Sequence, residues 1–270
     1  AVGGTAGGNG GVVTLWNERG GIVVNAALSA NGGAAGSGVQ GNGGTVQLVS
    51  TGTAVASTIT QGGSGQITAT GATGGNLKVN ASDDVTLQNT GNDVAKLAAS
   101  ITSAGKSFKY TDANTLAIDQ AAQAGSSAVA LGVPSGTGAT QALMNGITTL
   151  GGSGGSVGVN TLSTGTLDVN QAISTVPAGT GTTVGGAVVL ESNGAITTAA
   201  AGTITTTGQA SAAGLGGVAG EVFIHHTNLT TTAGDITLGG TVTANGGSAA
   251  NSVDVIEEAV AAKPAETDRK

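Results

Sequence analysis

The chain contains no cysteine, so it has neither a disulfide framework nor a thiolate metal site. Among 270 residues there are three prolines and one methionine, and only Trp16, Phe108, Tyr110 and Phe223 are aromatic. Charged residues make up 9%, against roughly 25% in ordinary soluble domains. The polar surface must therefore come from Thr, Ser, Asn and Gln. No run of about 18 apolar residues occurs, so no segment reads as a membrane-spanning helix. The net charge of −7 lacks the basic footprint that nucleic acid requires. Ala1 opens the sequence without a basic and apolar leader, so a signal peptide is expected to have been removed or to lie outside this stretch.

What the chain does have is glycine, 51 residues of it, together with Ala, Val and Thr. Small apolar residues supply too little bulk for a wide core. They suit a thin one, with side chains stacked between closely spaced backbones. A mean hydropathy of +0.21 and many β-branched residues speak against disorder. The absence of a three-residue glycine period excludes collagen.

Short runs alternate apolar with polar and are set off by Gly or Asn. They include Val12–Trp16, Ile22–Asn25, Thr45–Ser50, Gln66–Thr70, Asn76–Asn80, Asp84–Gln88, Ser107–Tyr110, Thr115–Asp119 and Thr166–Asn170. Later ones are Ala187–Glu191, Thr203–Thr207, Glu221–His225, Asp235–Leu238 and Thr241–Ala244. Alternation places every second residue on one face of a strand, and the intervening Gly and Asn tolerate tight corners. Ser29-Ala-Asn-Gly-Gly33 returns as Thr243-Ala-Asn-Gly-Gly247. Asn closes strands at Asn25, Asn80, Asn160 and Asn170, as stacked side-chain ladders would require.

These features predict an all-β fold, a parallel β-helix (β-solenoid) over residues 1–253 with degenerate coils of roughly 20–25 residues. Ten or eleven such coils would make a rod on the order of 50 Å long. Asp93–Ser103 and Asp119–Ala130 are Ala-rich and fit a helical turn, a loop or a strand. Residues 254–270 hold eight of the 23 charges and read as a charged tail, with a short helix over Val255–Ala262 ended by Pro264.

Candidate sites were weighed against their contexts. Gly36–Gly41 has dinucleotide-loop spacing, but strand signals follow it where a helix is needed. Ser100–Ser107 ends like a phosphate-binding loop, yet Phe108-Lys-Tyr110 continues as a strand. Gly151–Gly155 has nucleophile-elbow spacing without a strand-to-helix turn. His225 and His226 would point to opposite faces of a strand, so they would not grip one metal together. No catalytic residue, metal site or cofactor is expected. Lys106, Phe108 and Tyr110 share one parity and form the best candidate for a small ligand-contact patch, with a core stack as the competing reading.

Several phrases resemble the repeat regions of filamentous-haemagglutinin-like exoproteins and adhesins. They are Gly43-Gly-Thr-Val-Gln-Leu48, Gly91-Asn-Asp-Val-Ala-Lys-Leu97, Ser107-Phe-Lys-Tyr-Thr-Asp-Ala-Asn-Thr-Leu116 and Gly234-Asp-Ile-Thr-Leu238. The resemblance implies a right-handed parallel β-helix, secretion to the bacterial cell surface and a structural or adhesive role, including biofilm formation. The expected partners are further copies at the solenoid ends and host or matrix glycans or proteins. The alternative on the same scaffold is a glycan-binding or glycan-cleaving protein, whose chemistry would need converging carboxylates and aromatic platforms.

Overall fold

A computed structural model of the chain describes residues 6–52, 56–121, 143–152, 155–227 and 234–249. These residues form an all-β structure without helix. Each pass of the chain lays down three short strands. The first pass carries β1 (Val12–Asn17), β2 (Ile22–Val24) and β3 (Leu28–Ser29). The second carries β4 (Thr45–Ser50), β5 (Ile59–Gln61) and β6 (Ile67–Ala69), and the third β7 (Asn76–Ala81), β8 (Val85–Leu87) and β9 (Asp93–Val94). The fourth has β10 (Lys96–Ala104), β11 (Phe108–Asp112) and β12 (Leu116–Ile118). A small antiparallel pair follows, β13 (Gln120–Ala121) with β14 (Met144–Asn145). The fifth pass has β15 (Ile147–Leu150), β16 (Val157–Thr161) and β17 (Leu167–Val169). The sixth has β18 (Ile173–Ser174), β19 (Val188–Ser192) and β20 (Ile196–Thr198). The seventh has β21 (Ile204–Thr205), β22 (Val222–His226) and β23 (Ile236–Leu238), and β24 (Val242–Thr243) opens the next.

Equivalent strands of successive passes pair in parallel. One sheet runs β2-β5-β8-β11-β16-β19-β22, and a shorter one β3-β6-β9. The third starts as β1-β4-β7-β10 and then forks. The fork is made by the nine-residue β10. One edge takes β7 along Lys96–Ile101, while the other takes β12 at Lys96 and Leu97 and β15 from Ala99 onward. Two narrower threads continue from it, β12-β17-β20-β23 and β15-β18-β21-β24.

In-register pairing turns alternation into columns. Ile59, Val85, Phe108, Val157 and Val188 stack inward along one column, and Leu87, Tyr110, Val159 and Leu190 along the next. All of these are buried, and Ile, Leu, Val and Ala fill nearly the whole core. The core is thin because each inner residue meets only the opposite faces and the passes above and below.

Three expectations need correcting. The 20–25-residue spacing fits Val85 under Phe108, but Phe108 lies under Val157 and Ile22 under Ile59. Long loops such as Ala30–Gly44 and Val176–Gly186 lengthen the passes, so the described stack has seven strands in its most regular sheet where ten or eleven coils were expected, and spans roughly 30 Å. The strand-closing asparagines do not stack on one another. Asn80 lies between Val49 and Ser100, and Asn160 between Thr111 and Glu191. The repeated Ala-Asn-Gly-Gly phrase follows β3 in one case and β24 in the other, which belong to different sheets. The Ala-rich stretch at Asp93–Ser103 is strand, because Leu97, Ala99 and Ile101 alternate inward. Residues 254–270 and most of 119–130 lie outside the described residues.

Candidate functional site

The patch expected at Lys106, Phe108 and Tyr110 does not exist as a surface. Phe108 and Tyr110 are buried inside the stack. Lys106 precedes β11, just after Gly105, whose φ of 72° turns the chain. Lys106 and Ser107 lie between that turn and the first strand residue, Phe108, so the parity of the strand does not extend to Lys106, whose ammonium faces outward. Its Nζ lies 2.6 Å from Asp83 Oδ1 and 3.7 Å from Asp84 Oδ2. The ammonium's hydrogen bond holds the Asp83 carboxyl below its ordinary range and raises Lys106 in return. Ser107 donates both its backbone N–H and its hydroxyl to Asp84 Oδ1, at 2.8 and 2.9 Å. The cluster is a staple between the third and fourth passes.

Several inward polar groups bond to one another and to the backbone of neighbouring passes. Tyr110 donates to Asp112 Oδ2 at 2.8 Å, and Asp112 also accepts from the N–H groups of Val94 and Asn114. Burial raises Asp112 to about 6, and burial likewise pushes the Tyr110 phenol up. Asp112, Thr161, Ser192 and His226 occupy one column. In that column Thr161 donates to Ser192 at 2.7 Å, and Ser192 donates to the Gly165 carbonyl at 3.1 Å. Fully buried Asn92 donates to the carbonyls of Leu87 and Thr111 and accepts from Ile67 N–H and Gln61. Here, and not at the expected asparagines, is the side-chain ladder across passes.

A second device closes the loops of the later passes. Buried Thr149, Thr175 and Thr206 donate their hydroxyls to the carbonyls of Gly155, Gly186 and Gly220, respectively. The backbone N–H groups of Gly186 and Gly220 return to the carbonyls of Thr175 and Thr206. Glycine is required at this clasp: a Cβ at Gly186 would lie 1.6 Å from the Gly155 carbonyl oxygen, and one at Gly220 2.1 Å from that of Gly186.

His225 and His226 diverge as their adjacency implies. His225 faces outward, 5.4 Å from the Phe223 ring and 3.7 Å from Glu191, whereas His226 lies on the inward side of β22. Among the described residues no three potential metal ligands come together. The Gly36–Gly41 segment is a loop that leads to a strand, and Ser100–Ala104 belongs to β10. Gly151–Gly155 is only partly within the described residues.

On the outward surface the described residues form a polar groove of about 550 Å³. Asn9, Asn42, Asn76, Gln120 and Gln171 line it, with the Lys96–Asp119 ion pair at 2.9 Å. Burial pulls the Asp119 carboxyl up, but bonds from Lys96 and from Gln120 N–H outweigh it and leave the group below its usual range. Beside the groove, β13 packs over β7 and β10. Lys78 is buried on β7, and desolvation lowers its pKa. Sequence reasoning missed the groove because its lining comes from loop residues and strand starts of five passes.

No protein-family model, curated protein or solved structure matches the chain.

Proposed function

We propose that the chain is a right-handed parallel β-helix serving as a structural or adhesive segment of a secreted bacterial surface protein. The observation that carries this reading is where the polar interior is used. Asp112, Asn92 and the buried threonines bind neighbouring backbone and neighbouring passes, which is the work of a scaffold. Right-handedness follows from the strong preference of parallel crossovers for that hand. Secretion, surface location and a part in biofilm rest on the resemblance of the repeat phrases to exoprotein adhesins. The partners on this reading are host or matrix glycans or proteins, and other copies at the ends of the stack.

A second reading, glycan binding, is favoured by the groove. Its side-chain amides each offer two donors and an acceptor, a set that matches sugar hydroxyls. Beads coated with the chain should be retained on matrix-coated surfaces and not on albumin, and spin labels on Thr60 and Lys109 should sit about 10 Å apart, two strand spacings along one column. Labels far apart remove the β-helix. Labels at that spacing without retention remove adhesion. Retention abolished by free oligosaccharide and by Gln171→Ala selects the glycan reading.

A further inference from the structure

Exposed apolar side chains are not spread evenly along the stack. Of the nine large ones among the described residues, six are Leu215, Val218, Phe223, Ile236, Leu238 and Val242, all near its C-terminal end. Three of them sit in columns that are closed one pass earlier. Ile196 is fully buried, and Ile236 beside it is 44% exposed. Ile204 is fully buried, and Val242 beside it is 38% exposed. Among the described residues β22, β23 and β24 are the last strands of their ladders, and an open ladder edge invites another strand.

The opposite end carries inward apolar residues at the same two-residue spacing: partly buried Val13 and Leu15 on β1, Ile22 and Val24 on β2, and Leu28 on β3. The outward column of the seven-stranded sheet points the same way. Thr60, Thr86 and Lys109 fill its early and middle part, but it begins at Val23 and ends at Phe223, exposed by 62% and 43%. Apolar residues stand on the solvent side of this sheet at both ends, where a stacked neighbour would bring them together. Parallel register continues only if the last edge of one copy meets the first edge of another. Two identical ends meeting would set the strands antiparallel.

We propose that the β22–β23–β24 edge of one copy receives the β1–β2–β3 edge of a second, head to tail, with Phe223 of one packed on Val23 of the other. This rests on the stacked-pass reading above and gives the self-association a polarity. A head-to-tail contact does not close on itself in a straight stack, so it generates open chains. Val23→Lys and Phe223→Lys test it, because both side chains point away from the core and the substitutions should leave the circular dichroism spectrum unchanged. In sedimentation experiments the full chain should form multiples of 25.1 kDa with rising concentration. Each single variant should run as a monomer. A variant blocked at one end keeps the other end free, so mixing Val23→Lys with Phe223→Lys should restore dimers and nothing longer. A wild-type chain that stays monomeric to its solubility limit overturns the proposal, as does Val23→Lys dimerising alone, which would mean like ends pair. Labels on Thr60 and Lys109 that stay two strand spacings apart in such a monomer leave the scaffold reading standing, whereas labels far apart remove that reading itself.

Discussion

The first four passes and the last three hold the same stack together with different lengths of paired strand. In the early passes the forking sheet has six paired residues per strand, from Thr45–Ser50 over Asn76–Ala81 to Lys96–Ile101. The two large aromatic rings of the core, Phe108 and Tyr110, lie at the end of this region. In the later passes the equivalent strands β18, β21 and β24 are two residues long, and the core is Ile, Val and Leu. Both regions bond the corner that follows these strands, through Ser50, Ser57 and Ser82 to the Gly20 and Gly52 carbonyls in the early passes and through the Thr–Gly clasps in the later ones. The difference teaches that a thin parallel stack can give up paired strand length while its corner hydrogen bonds and its alternation are kept.

The largest effect should come from emptying the aromatic part of the core. Phe108→Ala should destabilise the chain by about 3–5 kcal/mol. Val188→Ala in the same column should cost about 2 kcal/mol, since far fewer atoms are removed. Urea midpoints measure both, and equal losses would break the contrast between the two regions.

Next comes the buried carboxyl. Folding raises Asp112 from 3.8 to about 6, so between those values the folded chain holds a proton that the unfolded chain releases. That contribution is fully present below pH 3.8 and is lost as pH rises through 6, a difference of up to ~3 kcal/mol. Asp112→Asn should therefore raise the melting temperature at pH 8 and flatten the dependence between pH 5 and 8. A wild-type chain equally stable at both values would contradict this.

The clasps come third. Thr206→Val leaves the Gly220 carbonyl without its hydroxyl donor and should cost about 1 kcal/mol. Hydrogen exchange should then quicken in β21 and β22 and not in β4 or β7. Smallest is the outer staple. Lys106 is exposed, and surface ion pairs contribute little, so Lys106→Ala should leave the urea midpoint unchanged.

Much of the strand pattern was readable in the sequence. Thr45–Ser50 is bounded as expected, and the other alternating runs lie within two residues of a strand at each end. Alternation is local, so it survives any loop length. The repeat period is not local, and loops of unequal length concealed it. A usable signal was present in Ile147-Thr-Thr149, Ile173-Ser-Thr175 and Ile204-Thr-Thr206, each with a glycine downstream that proves to be its hydroxyl acceptor. The Lys106, Phe108 and Tyr110 patch failed for the opposite reason, because parity was extended to Lys106, which lies before the strand begins at Phe108, and because the face that Phe108 and Tyr110 share is the buried one. The groove at Asn42 and Gln171 depends on loops meeting across passes, which no short window can show.

The Thr–Gly clasp has a consequence for how such a chain can change. The acceptor glycine lies six residues after Thr149, eleven after Thr175 and fourteen after Thr206, yet the inner column below is the same in all three passes. Closing a longer loop adds little entropy, about 0.6 kcal/mol for each doubling of length. The base of each loop thus separates what the stack needs from what the surface displays. Segments can be inserted, exchanged or lengthened beyond the clasp while the column keeps its register, so the exterior of the chain is free to diversify on a fixed interior.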